Sequence, residues 1–465
     1  MKILFCLKKA GYFPYHASTI RSLQASGHEI VVLCPEGDLV GHTSERPLTV
    51  GPLLSREAGW KRNFVVNTRE LRSYGSYLRR SDQSRFYRDR WKSYLSRKLR
   101  VLISIPGVNW LLRSPLADKV FARIEDRIPA DRRVLEYVRD TKPDVVVASP
   151  ANMRHSRELE YVKAAKVLGI PTVVNVISWD NLSTKGLFHV APDALVVWNE
   201  SQARQARQIH GLSDSRIKVG GAAFFDKWTS HKGWKLDREG FCMKVGLDPQ
   251  RPFVAYLGSA ASIAKDESWL IDGLKRAFST HALPEMRAMQ ILVRPHPANF
   301  GHYTWVEEEL EGVRIWPRQG GLSGSDESAQ EFFQTLKLSV AAVGLNTSGM
   351  LDAVILDVPC VSILEERYKK TQEEALHFQD LVKAETVGMT RSFEQCTSSI
   401  AQIVLNGSDG RELKRAAFTS NFVRPNGLQR EAGFYCARAI EQTAGCTARF
   451  QQPVATAEAS AQGAV

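Results

Sequence analysis

The apolar positions of this chain fall into short runs, each long enough for one strand, separated by stretches with helical spacing. In the first half the runs are Lys2–Leu7, Glu29–Cys34, Asp144–Ala148, Thr172–Val176 and Ala194–Val197. A shorter one, Arg216–Val219, precedes Gly220-Gly221, which reads as a tight turn at a domain junction. Helices are predicted to end near Gly27 and to span Ser156–Leu168 and Glu200–His210; Gly169 and Pro171 stop the second. The strands are nearly continuous β-branched runs, the mark of a parallel sheet covered on both faces. The pattern resumes at Pro252, with strands over Phe253–Leu257, Met289–Arg294, Val313–Trp316, Leu338–Val343 and Cys360–Ile363. Trp228–Gln250 reads as the connection and 427–444 as a last helix. The predicted fold is α/β: two Rossmann-like domains, 1–230 and 231–445, facing across a cleft. The C-terminal helix closes the second, and the small, polar tail 446–465 is expected to be disordered.

The stretch 56–133 interrupts the alternation. It is helical by composition, basic and rich in aromatics. Tyr87, Trp91, Leu95 and Leu99 recur every four residues, along one side of a helix, flanked by Arg85, Arg88, Lys92 and Arg100. Between 61 and 100 thirteen Lys or Arg face three acids, so most of the net charge of +12 lies here. Such a surface suits an anionic membrane, which would hold a peripheral enzyme. Nucleic acid competes as a partner, but no motif specific for it is present. The third reading is a solvated pair of helices packing its aromatics on the first domain.

No run approaches the ~20 apolar residues of a membrane span. Val101–Leu112 is broken by Pro106 and Gly107, and Ile3–Leu7 is too short for a signal peptide. Seven scattered cysteines without a CxxC pair suggest neither disulfides nor zinc; Cys6, Cys34 and Cys360 read as small core residues. A cytoplasmic location is expected, extended by peripheral attachment to the cytoplasmic face of a membrane.

Candidate chemistry gathers where strands end. Asn346-Thr347-Ser348-Gly349 opens a helix after a buried strand, where unpaired N–H groups and hydroxyls favour a phosphate; Asp352, one turn on, suits ribose hydroxyls. The plain alternative is N-capping. Arg294-Pro295-His296-Pro297 presents Arg and His at a strand's C-terminal edge, suited to a diphosphate. Gly258 and Ser259 follow the first strand of this half and would let a ligand approach backbone N–H groups. In the first half, His16 stands at a helix entrance as a candidate base. Asp180 is expected to orient His16, to act as base itself or to hold an acceptor sugar. Trp179 and Asn181 beside it suit an acceptor, the indole as a flat face for a sugar ring. Their plain alternative is an Asx-turn with a core tryptophan. No metal motif and no GxxxxGK[ST] is present, so neither a metal nor a cofactor beyond an activated co-substrate is expected.

The segment from His16 through Ser26-Gly27-His28-Glu29 into Ile30–Leu33 is similar to the first unit of GT-B glycosyltransferases. Asp193–Val197 followed by Lys218-Val219-Gly220-Gly221 resembles the end of their acceptor domain. Arg294-Pro295-His296-Pro297, with Asn346-Thr347-Ser348 and Pro425-Asn426-Gly427, resembles the CDP-glycerol glycerophosphotransferase branch and related surface-carbohydrate transferases. The resemblance implies a GT-B fold and metal-independent transfer of a sugar from a nucleotide-activated donor to the hydroxyl of a carbohydrate or lipid-linked acceptor, in surface polysaccharide or glycolipid synthesis. It implies His16 as base and His296 on donor phosphate. The alternatives are polyol-phosphate transfer, a nucleotide-sugar epimerase or hydrolase of the same fold, and a non-catalytic nucleotide-sugar binding protein.

Overall fold

The computed structural model describes residues 1–39, 46–81, 85–230, 234–318 and 326–445. The tail expected to be disordered, with Cys446, lies outside the described residues. The first sheet has seven parallel strands: β1 (Lys2–Leu7), β2 (Glu29–Cys34), β3 (Thr49–Pro52), β4 (Val145–Ser149), β5 (Thr172–Asn175), β6 (Ala194–Val197) and β7 (Ile217–Val219), in the order β3-β2-β1-β4-β5-β6-β7. The second has six: β8 (Phe253–Leu257), β9 (Gln290–Arg294), β10 (Val313–Ile315), β11 (Ala342–Gly344), β12 (Cys360–Ile363) and β13 (Gly388–Thr390), in the order β10-β9-β8-β11-β12-β13. Ile3–Leu7 pairs residue by residue with Val145–Ser149, and both runs are fully buried. Burial on both faces is why these strands read as unbroken apolar runs. In each sheet the chain starts in the middle and winds outward both ways. The direction reverses between β1 and β4, and between β8 and β11. The loops at those two points splay apart and leave a crevice at the strands' C-terminal ends.

Several expectations change. The run Leu338–Val343 is the end of a helix (Asp326–Leu338) followed by β11, because the buried side of that helix is apolar too. The short edge strands β3 and β13 carried no apolar run. The connection contains a helix (Arg238–Val245) whose Phe241, Cys242 and Val245 pack on Phe253 and Leu292 of the second domain. The six described cysteines are free and buried.

The helix Ala432–Thr443 follows the second sheet in sequence but packs on the helix Ala17–Ala25 of the first domain. A Cβ on Gly433 would lie 2.5 Å from the Ser18 carbonyl carbon and 2.6 Å from the Thr19 nitrogen. Asp226, fully buried, accepts from the backbone N–H of Ala432 (2.9 Å) and Gly433 (2.7 Å) and from Ser18 Oγ (2.8 Å). Gly220 and Gly221 are required by the same approach: a Cβ on the first would meet Cys436 Sγ at 2.7 Å, and the second has φ +91°.

Five helices, Trp60–Arg79, Arg85–Tyr94, Arg97–Ser104, Val108–Arg113 and Pro115–Arg127, lie between β3 and β4, followed by Arg132–Thr141. The four-residue aromatic spacing does not follow one helix, since Leu95 lies where two helices part. Tyr87, Trp91 and Leu95 are buried against Ala151, Leu159 and Val176 of the first domain. Charge fastens the segment as well. Glu125 accepts from Arg69 (2.7 and 3.0 Å) and from Lys163 Nζ (2.7 Å), and Glu160 accepts from Arg69 (3.1 Å) and Arg56 (2.7 Å). Burial opposes ionisation of Glu125, yet Arg69 and Lys163 outweigh it and hold the carboxyl down at about 2. Glu125→Ala leaves Lys163 without a carboxylate in the interior and Arg69 with Glu160 alone, and should cost about 3–5 kcal/mol. Urea unfolding checks this, and a loss below about 1 kcal/mol would show the network to be dispensable.

Candidate functional site

On the second domain the loops after β8 and β9 touch. A Cβ on Gly258 would come within 2.6 Å of Tyr303 Oη and 3.1 Å of the His296 nitrogen, so glycine permits the contact. Ser259 is fully buried; its N–H and its Oγ (3.2 Å) both donate to Glu267, which also accepts from Tyr256 (3.1 Å) and Tyr303 (2.8 Å). The hydroxyl expected to meet a donor is therefore engaged inside the domain. Arg294 ends β9 with its guanidinium 5.3 Å from the centre of the Phe332 ring. The same ring lies 3.6 Å from where a Cβ on Gly349 would stand. Arg294 and Gly349 thus flank one aromatic surface. Nη1 of Arg294 is buried without a partner. Among the described residues no carboxylate lies within ion-pair distance of it; Glu331 acts from further off and is held by Trp316 Nε1 (2.9 Å) and Lys244 (2.6 Å). Burial lowers the guanidinium to about 10, still charged at neutral pH. A buried cation without a counter-ion is costly, and an anion would relieve it.

His296 accepts from the Ala298 N–H at Nδ1 (3.1 Å). Its pKa is lowered, by burial first and then by the charge of Lys9 in the other domain. Thr347 is half-buried and accepts from the Gly349 N–H (3.5 Å), and Ser348 is exposed. Asn346 is turned inward, donating to the Thr371 carbonyl (2.8 Å) and meeting His377 Nε2 (3.3 Å). Asp352 is buried, accepting from Trp228 Nε1 (2.8 Å) and pairing with Lys227 (3.4 Å). Burial raises its pKa against the pull of Lys227. In place of the ribose contact expected of it, Asp352 holds the linker between the domains.

On the first domain the loop after β1 is a tight turn of helix, Ala10–Tyr15, that delivers His16 to the start of Ala17–Ala25. His16 is 1% exposed, 5.7 Å from the Phe5 ring, and neither ring nitrogen has a partner. Asp180 therefore does not orient it. Asp180 instead accepts from Ser178 Oγ (2.7 Å), Thr184 Oγ1 (2.8 Å) and Lys185 Nζ (2.8 Å). Burial opposes its charge, but Lys185, His377 and Ser178 hold the carboxyl well below the usual range. Trp179 is buried with its edge on the His377 ring (4.8 Å, 73°), and so offers no open face to a sugar. Asn181 accepts from the N–H groups of Ile177 (3.1 Å) and Ser178 (2.8 Å), which precede it, so it ties the loop after β5 together by a backward bond rather than by the Asx-turn of the plain reading.

Sequence reasoning missed the groups that join the two sides. His377 touches Trp179 of one domain and Asn346 of the other, and Lys9 acts on His296; neither belongs to a motif. It also missed a cavity of about 290 Å³ in the first domain, beneath the helix Trp60–Arg79. Lys8, Asn152, Arg154 and Arg157 from strand ends line it, with Arg56, Arg62 and Arg69 from the helical segment's side. The run Arg154-His155-Ser156-Arg157, in the loop after β4, was the signal available.

Neither a protein-family model nor a curated protein matches this chain. Among solved structures, the UDP-GlcNAc 2-epimerase of Methanocaldococcus jannaschii is similar over 95% of this chain and 100% of its own, at 14% identity and a TM-score of 0.55. The Neisseria meningitidis UDP-GlcNAc 2-epimerase bound to UDP-GlcNAc is similar over 95% and 99%, at 12% identity and 0.52. A glycosyltransferase from Rickettsia africae is similar over 95% and 98%, at 11% identity and 0.52. At such identities the likeness is one of fold, and the fold of this chain is GT-B.

Burial holds His16 at about 3 and His377 at about 4, well below an unfolded histidine near 6.5. The unfolded chain therefore binds these protons first. Stability is full above pH ~6.5 and falls as the pH drops toward 4, by up to about 1.4 kcal/mol per unit for each group. Urea midpoints across this range test it. His16→Met should flatten the slope; an unchanged slope would mean that His16 titrates normally.

Proposed function

We propose that the protein transfers a glycosyl group from a nucleotide-activated donor, held by the second domain, to a hydroxyl of an acceptor held by the first. The uncompensated charge of Arg294 carries this reading. It lies at a strand's C-terminal end beside the crevice, where ligands of open α/β sheets bind. There it suits the diphosphate of an activated sugar, with His296, Thr347 and Ser348 on the neighbouring loops. As the sugar's bond to diphosphate breaks, these groups stabilise the charge left on the leaving oxygens. The acceptor oxygen bonds to the same carbon and its proton passes to a base. Of the two candidates Asp180, whose side chain is 21% exposed, is open to a substrate hydroxyl, whereas His16 is sealed. A carboxylate so well stabilised is a weak base. It suits a reaction in which the sugar–diphosphate bond is largely broken before the proton moves.

The cavity in the first domain favours transfer over an acceptor-free reaction such as epimerisation, which has no use for a second chamber. Arg294→Met keeps the stem over Phe332 and removes the charge. Binding of the preferred ligand from a UDP-, GDP-, CDP- and TDP-linked series should weaken by about tenfold to a hundredfold, read by thermal shift. Unchanged binding would remove Arg294 from the donor site. Conversion of a donor with no acceptor present would replace transfer with epimerisation or hydrolysis.

The reading extends to an anionic membrane surface, though not on the residues first singled out. Tyr87, Trp91 and Leu95 face the core, whereas the apolar side chains open to solvent come later: Val101, Leu102, Ile105, Leu111, Leu116 and, 78% exposed, Trp110. Exposed Arg97, Lys98, Arg100, Arg113 and Lys119 lie among them. Apolar side chains among cations suit the headgroup boundary of an anionic bilayer. No helix among the described residues is long and apolar enough to cross a membrane. Replacing Ile105 and Trp110 by Ser should weaken sedimentation with phosphatidylglycerol vesicles by at least roughly tenfold. Equal sedimentation of the variant would leave this surface without a membrane role.

A further inference from the structure

Arg62, Val66, Arg69 and Ser73 recur every three to four residues along Trp60–Arg79, so one stripe of that helix forms a wall of the 290 Å³ cavity. The opposite wall is the edge of the first sheet: Lys8 after β1, then Asn152, Arg154 and Arg157 after β4. Six cationic side chains line the space against two carboxylates, Glu70 and Glu160. Arg56 and Arg69 are paired with Glu160 and Glu125, and Arg154 with Glu70 (2.7 Å). Lys8, Arg62 and Arg157 have no carboxylate within ion-pair distance among the described residues; Lys8 Nζ donates only to the Arg154 carbonyl (2.5 Å). Burial, then Arg157, Arg154 and Lys9, depress the Lys8 ammonium against the pull of Glu158. Glu158 itself is buried, with its own pKa raised.

The polar groups are sorted by depth. Arg62 and Arg157 are exposed at the mouth. Asn152 is 2% exposed; its amide nitrogen donates to the carbonyls of Asn181 (2.8 Å) and Gly186 (3.2 Å), which leaves Oδ1 buried and unpartnered. Gly186 makes this floor possible, since a Cβ there would lie 3.0 Å from both the Asn152 backbone carbonyl oxygen and Ser73 Oγ. An occupant would be negative at its outer end and would donate a hydroxyl at its inner end. Three uncompensated cations match a dianionic phosphate ester better than a single carboxylate, and the volume is at the small end for ligand cavities. The cavity also adjoins the cleft: Lys8 lines it while the next residue, Lys9, acts on His296.

We infer that this cavity binds the acceptor, and that the acceptor is a hydroxylated unit carrying a phosphate ester. The assignment rests on the transfer reading above for the word acceptor, but its ligand chemistry stands on the cavity alone. Such a phosphate belongs either to a soluble sugar phosphate or to a lipid-linked headgroup.

Calorimetry on the intact chain separates these sources, using a soluble hexose 1-phosphate and a polyprenyl phosphate dispersed in neutral detergent micelles. At least one should bind, inorganic phosphate should compete, and the unphosphorylated sugar should not bind. Arg62→Ala combined with Arg157→Ala removes two exposed side chains without ion-pair partners. It should weaken that binding at least tenfold while leaving the nucleotide thermal shift unchanged. Binding in solution assigns a small soluble acceptor; binding only in micelles assigns a lipid-linked one. If nucleotide ligands bind but neither phosphate ester does, or if the double variant binds the ester like the wild type, the inference falls and the donor reading survives. If an ester binds but no nucleotide does, the anion site stands and the transfer reading falls.

Discussion

The helix Ala432–Thr443 belongs to the second half of the chain but is anchored on the first, and the mutual placing of the two domains depends on that anchor. Gly433 lets it press on the backbone at Ser18 and Thr19, and Gly220 makes room for Cys436. Asp226 fixes its first N–H groups from within the first domain. Around this contact the apolar interior is continuous: the buried cluster holding Trp198 and Phe225 runs on into Leu351, Phe418 and Phe422. Two domains joined only by polar surfaces move freely as units. Here the two domains share buried apolar side chains, so their mutual placing rests on a common core as well as on polar contacts.

Those loops hold charge that the rest of the molecule does not neutralise. Most buried cations of this chain are answered nearby, as Arg415 is by Asp409 (2.7 Å) and Lys163 by Glu125 (2.7 Å). Arg294, at the C-terminal end of β9, and the half-buried Lys8, directly after β1 and beside a reversal of strand order, are not. A fold under selection for stability alone would pair them or replace them with apolar residues. Unpaired charge at a topologically favoured binding edge is the kind of local conflict that marks a functional site. The two groups lie on opposite sheets, consistent with one anion being held on each side of the cleft.

Much of this was legible in the sequence. β1, β2, β4, β6, β8 and β9 were readable because a strand buried on both faces needs apolar residues at nearly every position. Arg294 and His296 were readable because prolines interrupt the chain where a strand ends. β3 and β13 were not, since short edge strands need few apolar positions, and a buried helix side was mistaken for part of β11. The site suffered from a different ambiguity. Ser259, Trp179 and Asn181 have the residue types of ligand groups but are satisfied inside the fold by Glu267, His377 and backbone N–H groups. Which way a polar side chain turns depends on partners far away in sequence. For the same reason Tyr87 and Trp91 looked like a surface and Trp110 did not.

The helix Trp60–Arg79 connects the two surfaces that a lipid-linked acceptor would need. Its inner stripe, from Arg62 to Ser73, walls the basic cavity, while Trp60 (74% exposed) and Phe64 (49%) lie in solvent on its first turns. Near its far end Gly75 lies against the Leu112 carbonyl, which seats the short helix carrying exposed Trp110. A charged headgroup and an apolar tail must be recognised together by any protein that takes a lipid out of its bilayer plane. One route is a cationic pocket opening beside an apolar, cation-flanked face, so that the phosphate is never left without a counter-charge as the headgroup leaves the surface. A soluble sugar phosphate needs the pocket but gives no reason for the exposed tryptophans. The apolar side chains of Trp60–Arg79 and its neighbour therefore weigh toward the lipid-linked source, independently of the charges that define the anion site.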